Sequence, residues 1–162
     1  MIKRILIEGP DCSGKSTALD RIKNALGWDA KSLHHRDGDQ FQRYIKEYCS
    51  AENIVFDRGH FSEAVYGQMW RGGNPFSSQE FDFLNFYLRR EGIIIFALPP
   101  EETLVSRYRS RNFSQQIKES ELALARDLFL EKSKNVPHIF YTSSSFNELD
   151  GLVKNVLRRV NG

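Results

Sequence analysis

The chain has 162 residues, a length that favours one domain spanning residues 1–162 with an adequate hydrophobic core. Its 23 basic and 21 acidic residues give a formal net charge of +2, which argues against a global polyelectrolyte surface for nucleic acid or membrane. The two cysteines form neither a disulfide framework nor a zinc motif, and the apolar run near the start is too short for a signal peptide or a membrane span. We therefore predict a cytoplasmic protein without a membrane partner.

Strand-like apolar runs alternate with helical stretches along the chain. The strands are predicted at residues 4–8, 31–35, 53–57, 92–98 and 138–142, of which 31–35 is the least apolar. The helices are predicted at residues 17–26, 40–50, 60–71, 77–90, 101–111, 115–134 and 146–160. This alternation predicts an α/β fold with a five-stranded parallel sheet flanked by helices.

A phosphate-loop motif follows the first predicted strand. Residues 9–17 read GPDCSGKST, which matches the pattern G-x-x-x-x-G-K-[ST]. Glycines let successive backbone N–H groups turn toward a phosphate, and the next helix adds the positive end of its dipole. In this pattern Lys15 reaches the β- and γ-phosphates and the Ser16 hydroxyl binds Mg²⁺, whereas the alternative is a chance match in a strand-turn-helix connection. The candidate donor-binding residues of the loop are Gly9, Asp11, Cys12, Ser13, Gly14, Lys15, Ser16 and Thr17.

The third predicted strand ends in Asp57 and Arg58, at the edge where open α/β sheets bind their ligands. An aspartate there can accept a proton or hold Mg²⁺, and an arginine can bind a phosphate or stabilise transferring charge. A structural Asp–Arg ion pair is the alternative interpretation. The phosphate loop upstream favours function, so Asp57, Arg58 and Lys15 are candidate catalytic residues, and Asp57 joins Ser16 as a candidate metal ligand.

Three motifs, in the same order, resemble the thymidylate kinase branch of the P-loop kinases: residues 8–17 (EGPDCSGKST), 57–66 (DRGHFSEAVY) and 107–111 (RYRSR). The second matches the family pattern D-R-x-x-x-S-x-x-A-Y with one residue, Val65, inserted between Ala64 and Tyr66 and one residue fewer between Ser62 and Ala64. The resemblance implies a three-layer P-loop kinase sandwich, ATP and Mg²⁺ as the donor system, and a nucleotide acceptor whose phosphate is bound by Arg58. It also implies a lid at about residues 107–115 that closes over ATP.

Three lid arginines, Arg107, Arg109 and Arg111, occupy alternate positions and can supply the positive charge that phosphoryl transfer requires. Residues two apart on a regular helix do not share a face, so we expect either an unwound segment or inward orientation of only some arginines. A solvated basic helix end is the alternative for each of them. Arg107 and Arg111 are candidate catalytic residues, and Arg107 is also a candidate donor-binding residue.

The acceptor region departs from the thymidylate kinase pattern, because the chain between the first two motifs is short and lacks an R-E-P-G-G-type segment. Residues 34–39 read HHRDGD and resemble the segment of small-molecule P-loop kinases that holds an acceptor hydroxyl. Asp37 and Asp39 therefore compete with Asp57 as the catalytic base, and Asp37 is also a candidate acceptor-binding residue. The alternative is an Asp-Gly turn in which Asp39 caps the following helix.

Aromatic side chains are frequent between residues 60 and 90, and core packing explains most of them. A minority can face the acceptor, where stacking on a base contributes about 1–3 kcal/mol. Tyr66 and Trp70, one helical turn apart and followed by Arg71, are the candidate base-contacting residues. Together with Arg58 and Asp37 they complete the predicted acceptor site.

These features predict an ATP-dependent kinase whose acceptor is a small nucleotide, most simply a deoxynucleoside monophosphate. The first alternative is a kinase of the same fold that phosphorylates a hydroxyl of a nucleoside or of a hydroxymethylated base in DNA, such as 5-hydroxymethyluracil, because a shortened acceptor region admits a larger molecule. The near-neutral net charge argues mildly against DNA. The second alternative is a P-loop ATPase or switch without an acceptor. A homodimer is compatible with the sequence.

Overall fold

The computed structural model describes residues 1–111 and 116–162. Within them, five strands form one parallel sheet: β1 (Arg4–Glu8), β2 (Asp29–Ser32), β3 (Ile54–Asp57), β4 (Gly92–Ala97) and β5 (Ile139–Tyr141), in the order β2-β3-β1-β4-β5. The same residues form seven α-helices: α1 (Lys15–Leu26), α2 (Gln40–Ser50), α3 (His60–Trp70), α4 (Ser78–Arg90), α5 (Glu101–Ser110), α6 (Leu122–Ser133) and α7 (Phe146–Asn161). None of these helices is both long enough and apolar enough to cross a membrane.

Side chains of the strands alternate between two hydrophobic layers. Ile5 and Ile7 of β1 pack with α1 and α7 on one face of the sheet, whereas Leu6 packs with α2 to α6 on the other. The interior strand β4 is buried from Ile93 to Ala97, as its continuous apolar run predicts. The predicted three-layer α/β sandwich with a parallel sheet is therefore confirmed.

The second strand begins earlier than the sequence predicted, at Asp29–Ser32 rather than at residues 31–35. It is an exposed edge strand that pairs in parallel with β3. β3 ends at Asp57, which lies opposite Ser32, and the Leu33 N–H just beyond the edge strand donates a hydrogen bond of 2.9 Å to the Asp57 carbonyl oxygen. Residues 34–39 consequently form a loop at the carboxyl edge of the sheet instead of ending a strand.

The predicted helix at residues 115–134 is wrong at its start. Residue 115 lies outside the described residues, and a 3₁₀ turn at Glu119–Glu121 precedes α6. The Glu121 carboxylate accepts a hydrogen bond of 2.8 Å from the backbone N–H of Lys118, which caps this turn. The chain therefore becomes helical only after the cap, whereas the other helices begin and end within two residues of their predicted bounds.

The carboxyl ends of the strands lie at one edge of the sheet. The phosphate loop follows β1, Arg58 follows β3, and Ser143 follows β5, so segments that are distant in sequence are neighbours here. The site predicted from sequence is at this edge.

Candidate active site

The phosphate loop connects the end of β1 to the beginning of α1. A Cβ on Gly9, whose φ is 145°, would lie 2.2 Å from the carbonyl oxygen of Ala97, so this close approach requires glycine. Gly14 is the N-cap of α1, and no side chain of the described residues caps the helix. The N–H groups of its first turn and the positive end of its dipole are therefore available to phosphate oxygens.

A small cavity of about 130 Å³ lies at the phosphate loop, and we refer to it as the phosphate cavity. Its lining contains most of the predicted donor-binding and catalytic residues: Asp11, Cys12, Ser13, Gly14, Lys15, Ser16, Thr17, Asp57, Arg58 and Arg111.

Lys15 is buried at the base of the phosphate cavity. Its ammonium group donates hydrogen bonds to the Pro10 carbonyl oxygen at 2.6 Å and to Ser13 Oγ at 3.4 Å. Burial, together with the nearby Arg58 guanidinium, lowers the pKa of Lys15 to about 8. A bound polyphosphate would raise that pKa again, because a neighbouring negative charge favours the ammonium form. Lys15 now donates hydrogen bonds to uncharged oxygens of the loop, and its position would allow it to donate them to phosphate oxygens instead.

Asp57 and Ser16 line the phosphate cavity and form a donor set that suits Mg²⁺. Ser32 Oγ donates a hydrogen bond of 3.2 Å to Asp57 Oδ2, whereas the buried Asp57 Oδ1 has no hydrogen-bond partner in the described part of the chain. Across residues 1–111 and 116–162 there is no group of three or more His, Cys, Asp or Glu that could hold a metal ion. A magnesium ion at this position would take its remaining ligands from phosphate oxygens and water.

Arg58 lies between the phosphate cavity and a second cavity. Its guanidinium donates a hydrogen bond to the Asp11 carboxylate and lies 5.2 Å from the centroid of the Tyr66 ring. Burial alone would lower the pKa of Arg58, but Tyr66 and Asp11 raise it above its ordinary value. Arg58 and Asp11 line both cavities, so a fixed positive charge and a carboxylate lie at their junction.

The second cavity has a volume of about 390 Å³, and we refer to it as the acceptor cavity. Tyr66 and Trp70 form an aromatic wall, with ring centroids 4.7 Å apart and ring planes inclined by 19°. The indole N–H of Trp70 donates a hydrogen bond of 3.3 Å to Glu121. The predicted acceptor residues Arg58, Tyr66, Trp70 and Arg71 are therefore brought together in one cavity. Its full lining is Asp11, Leu33, His34, His35, Arg58, Ser62, Glu63, Tyr66, Trp70, Arg71 and Gln116.

Glu63 organises the polar side of the acceptor cavity, although the sequence analysis assigned it no role. Its carboxylate, 3% exposed, accepts hydrogen bonds from Arg71 Nη2 at 2.7 Å and from His35 Nδ1 at 2.6 Å. Glu63 and His35 both occur in stretches that the sequence analysis singled out. No sequence signal distinguished them from solvated residues, because their proximity depends on how α3 packs beside the loop after β2.

Glu8 is a second buried carboxylate that the sequence analysis left without a role. It accepts hydrogen bonds from the Ser62 hydroxyl and, at 3.2 Å, from the Ser62 backbone N–H. Burial raises the pKa of Glu8 to about 7, against the opposing effects of these hydrogen bonds and of the Arg58 and Lys15 cations. This contact attaches the end of β1 to the first turn of α3, the helix that carries Glu63 and the aromatic wall.

The arginines of the predicted lid lie on different faces of a regular helix. Arg107 donates hydrogen bonds to the Cys12 carbonyl oxygen at 3.2 Å and to Ser143 Oγ at 2.7 Å. Arg109 points away and forms an ion pair of 2.6 Å with Glu119. Arg111, at the end of the helix, lines the phosphate cavity. Only some of the arginines therefore face the loop, and positions 112–115 of the predicted lid lie outside the described residues.

A third cavity of about 450 Å³ lies beside the phosphate loop, and we refer to it as the donor cavity. Ser143, which has a φ of 52°, donates a hydrogen bond of 2.9 Å from Oγ to the Ser13 carbonyl oxygen. This contact joins the segment after β5 to the phosphate loop. The cavity volume is in the range of small-molecule sites. Its lining is Cys12, Gly14, Thr17, Arg107, Ser110, Arg111, Tyr141, Ser143, Ser144, Ser145, Phe146 and Leu149.

Asp37 and Asp39 are not among the described residues that line the three cavities. The Asp37 side chain is fully exposed, with its carboxylate 3.8 Å from His35 Nε2. Asp39 is the N-cap of α2 and accepts a hydrogen bond of 3.0 Å from the Gln42 backbone N–H. The geometry thus accounts for Asp39 through capping, and a role for either residue in proton transfer stays a prediction.

No protein-family model matches the chain. Among curated proteins it is similar to the SPbeta prophage-derived uncharacterized protein YorR of Bacillus subtilis, with 18% identity over 136 residues, 81% of this chain and 82% of the relative. It is also similar to the probable thymidylate kinase 1 of Saccharolobus solfataricus, with 22% identity over an alignment 188 positions long that covers 98% of this chain and 96% of the relative.

Solved structures extend the likeness to the whole fold. The crystal structure of YorR from Bacillus subtilis in complex with phosphorylated GDP superposes with a TM-score of 0.81 at 18% identity and covers 98% of this chain and 95% of that chain. Deoxyadenosine kinase from M. mycoides with bound dCTP gives a TM-score of 0.63 at 19% identity and covers 96% of this chain and 99% of that chain. The chain therefore has the P-loop kinase fold. Within that fold it resembles thymidylate kinase.

Proposed function

We propose that this protein is an ATP-dependent phosphotransferase that moves the γ-phosphoryl group of ATP to a nucleotide, specifically a deoxynucleoside monophosphate. The observation that carries the proposal is that Arg58 and Asp11 line both the phosphate cavity and the acceptor cavity. A group held in the acceptor cavity is therefore next to the triphosphate tail held by the loop. Phosphoryl transfer requires this proximity, with positive charge between the two substrates.

The chain's residues divide the work between binding and charge stabilisation. The loop amides and Lys15 bind the β- and γ-phosphates, and Ser16 and Asp57 would hold the Mg²⁺ that neutralises charge on these groups. An oxygen of the acceptor's phosphate forms the new bond to the γ-phosphorus, the bond to the β–γ bridging oxygen breaks, and ADP leaves. Arg58 stabilises the charge that spreads over the transferring group.

The acceptor cavity supports a nucleotide as the second substrate. Its volume of about 390 Å³ falls within the range of small-molecule sites, and the Tyr66–Trp70 wall offers an aromatic face for a base. Arg58 supplies the cation for the acceptor's phosphate. A phosphate monoester is largely ionised at neutral pH, so this reaction requires no general base, and neither Asp37 nor Asp39 has to reach the cavity.

A hydroxyl acceptor, on a nucleoside or on a hydroxymethylated base in DNA, is the second candidate. It is favoured by one observation, the presence of the Asp11 and Glu63 carboxylates in the acceptor cavity. A hydroxyl must lose a proton when it attacks phosphorus, and a carboxylate in the cavity can accept it. Asp11 is the better placed of the two, because it also lines the phosphate cavity.

The proposal is tested with ATP labelled on its γ-phosphate. The protein is incubated with this ATP and Mg²⁺ in separate reactions with deoxynucleosides, their monophosphates, and DNA that contains a hydroxymethylated base. Labelled deoxynucleoside diphosphate is the expected product. A labelled monophosphate or labelled DNA would select the second candidate, and binding to DNA would fall steeply with salt. ATP turnover that does not respond to any acceptor would indicate an ATPase, and absence of ATP binding by calorimetry would reject the proposal entirely.

A further inference from the structure

A further cavity of about 530 Å³ lies at the amino ends of β4 and β5, on the edge of the sheet opposite the phosphate loop, and we refer to it as the amino-end cavity. β5 begins opposite Ile95, three residues after the start of β4, so no residue of β5 lies opposite Gly92–Ile94. Residues 92–94 line the cavity, which lies where a longer β5 would continue. Its full lining is Ile2, Arg89, Gly92, Ile93, Ile94, Pro137, His138, Ile139 and Arg159.

Two arginines from separate helices meet at the amino-end cavity. Arg89 is in the last turn of α4, and Arg159 is in the last turn of α7. Neither arginine forms an ion pair with a described residue, and no carboxylate of the described residues lines the cavity. The helix dipole favours a basic residue in a last turn, which explains either arginine by itself. It does not explain why both line one cavity without an acidic group to neutralise them.

The polar groups of the cavity have free hydrogen-bonding capacity. Arg159 Nε donates a hydrogen bond of 3.0 Å to Asn155 Oδ1, and its two terminal nitrogens form none within the described part of the chain. His138 Nδ1 donates a hydrogen bond of 2.7 Å to the Val136 carbonyl oxygen, so Nε2 is the ring nitrogen left for a ligand. The His138 ring packs edge-on against Phe96 with centroids 5.2 Å apart, which fixes its orientation. The cavity therefore offers two guanidinium groups and one imidazole to a ligand.

Charge and wall composition together define the class of that ligand. Two guanidinium groups carry two positive charges, which match a phosphate monoester, with a charge of about −1.5 to −2 at pH 7, better than a single carboxylate. The cavity volume is in the range of small-molecule sites, so a phosphate group alone would not fill it. The other walls are apolar, and an apolar or aromatic body attached to the phosphate would cover them. These walls are Ile2, Ile93, Ile94, Pro137 and Ile139.

We propose that the amino-end cavity binds a small phosphate monoester with an apolar or aromatic body, at a site separate from the active site. Arg89 and Arg159 bind the phosphate group, and the isoleucine side chains contact the body. The length of β4, six residues, places this site about 15–20 Å from the edge of the sheet that carries the phosphate loop. The inference does not depend on the proposed kinase function.

An NMR titration of the full chain with phenyl phosphate, followed by its backbone amide signals, tests the proposal. In the wild type, the signals of Gly92–Ile94, His138 and Ile139 should shift with one common dissociation constant. The signals of residues 9–17 report binding at the active site separately. Inorganic phosphate should bind the amino-end cavity about tenfold or more weakly than phenyl phosphate, because it leaves the apolar walls uncovered. Thymidine monophosphate that binds there equally well would identify a nucleotide as the source of the ester, and binding of phenyl phosphate alone would identify a smaller ester.

Substitution of either arginine should abolish most of this binding. Arg89→Ala and Arg159→Ala are each expected to weaken the binding of phenyl phosphate at the amino-end cavity about tenfold or more, because one of the two guanidinium groups is lost. Neither change should alter the response of residues 9–17, which lie at the opposite edge of the sheet. Both arginines are exposed, so the fold should be retained, and the amide spectrum itself verifies this.

Arg90→Ala and Arg158→Ala are the matched controls. Each removes the same charge from the last turn of the same helix, but neither Arg90 nor Arg158 lines the amino-end cavity. Both variants should bind phenyl phosphate like the wild type. Absence of shifts around the amino-end cavity in the wild type would overturn the proposal. An equal loss of affinity in the controls would also overturn it, because net charge alone would then account for the binding.

Discussion

The guanidinium of Arg58 donates a hydrogen bond to the carboxylate of Asp11, although the two residues come from different loops, 47 positions apart in the chain. Asp11 belongs to the phosphate loop, and Arg58 follows β3. Their contact is possible because β1 and β3 are neighbours in the sheet, with Ile7 opposite Asp57. The pair therefore lies where the phosphate cavity and the acceptor cavity meet.

Replacing Lys15 tests the phosphate loop directly. Lys15→Ala should reduce phosphoryl transfer about 100-fold or more, because the ammonium group of Lys15 no longer stabilises the negative charge of the β- and γ-phosphates at the transition state. The fold should be retained, and circular dichroism verifies this. Lys23→Ala removes a half-buried cation from the last turn of the same helix, outside the phosphate cavity; it is the control and should have wild-type turnover. Wild-type turnover of Lys15→Ala would refute the assignment of the loop.

A double-mutant cycle tests the contact between Arg58 and Asp11. Arg58→Ala should lower kcat/KM about 100-fold or more, since the cation between the substrates is lost. Asp11→Asn should have a smaller effect in the wild type and a still smaller one once Arg58 is absent, because the two side chains act as a unit. Steady-state kinetics of all four proteins gives the coupling. Strictly additive effects would show that the two residues act independently.

Tyr66→Ala should raise the KM of the acceptor more than the KM of ATP, because Tyr66 belongs to the aromatic wall of the acceptor cavity. The ring is 6% exposed, so the change should also lower the free energy of unfolding by about 3–5 kcal/mol. Tyr66→Phe keeps the ring and should retain a near wild-type KM. Equal rises of both KM values in Tyr66→Ala would instead indicate a role in core packing alone.

The arginines of α5 offer a matched comparison on one helix. Arg107→Ala should raise the KM of ATP, because Arg107 connects the Cys12 carbonyl of the phosphate loop to Ser143 beside the donor cavity. Arg109→Ala should leave the kinetics unchanged, since Arg109 pairs with Glu119 on the exposed side of the helix. Initial rates at varied ATP and fixed acceptor distinguish the two. A comparable effect of both substitutions would contradict the assigned orientations.

Glu8→Gln should change how stability depends on pH. The pKa of Glu8 is raised to about 7 in the folded state, so between its ordinary value of 4.5 and about 7 the unfolded chain is ionised while the folded one stays protonated. Wild-type stability therefore falls as pH rises through this window. Glutamine does not titrate, so the variant should gain stability relative to the wild type with rising pH, by roughly 3 kcal/mol across the window.

Chemical unfolding of both proteins at several pH values measures this difference. His60 also contributes to the pH dependence, because burial lowers its pKa from 6.5 to about 4 and the folded state loses stability as pH falls through that range. The His60 contribution is present in both proteins and cancels in the difference. A difference that does not vary with pH would show that Glu8 is ionised in the folded state.

Most of the sheet and the phosphate loop could be predicted from local sequence. β1 was predicted correctly because its apolar run Ile5-Leu6-Ile7 is typical of a buried parallel strand, and the loop after it is defined by glycines whose backbone angles other residues rarely adopt. The acceptor cavity was predicted only in part. Arg58 and Tyr66 belong to a recognisable motif, whereas Glu63 and His35 meet only because a helix and a loop pack together.

The sequence alone determined the succession of strands and helices along the chain, the phosphate-loop motif after β1, and the position of Asp57 and Arg58 at the end of β3, because these follow from patterns within a few neighbouring residues. Tertiary structure decided which charges are paired. It buried Glu8 against Ser62 and turned Arg107 inward and Arg109 outward. These outcomes depend on desolvation and on contacts between residues far apart in the chain, and no local pattern encodes either.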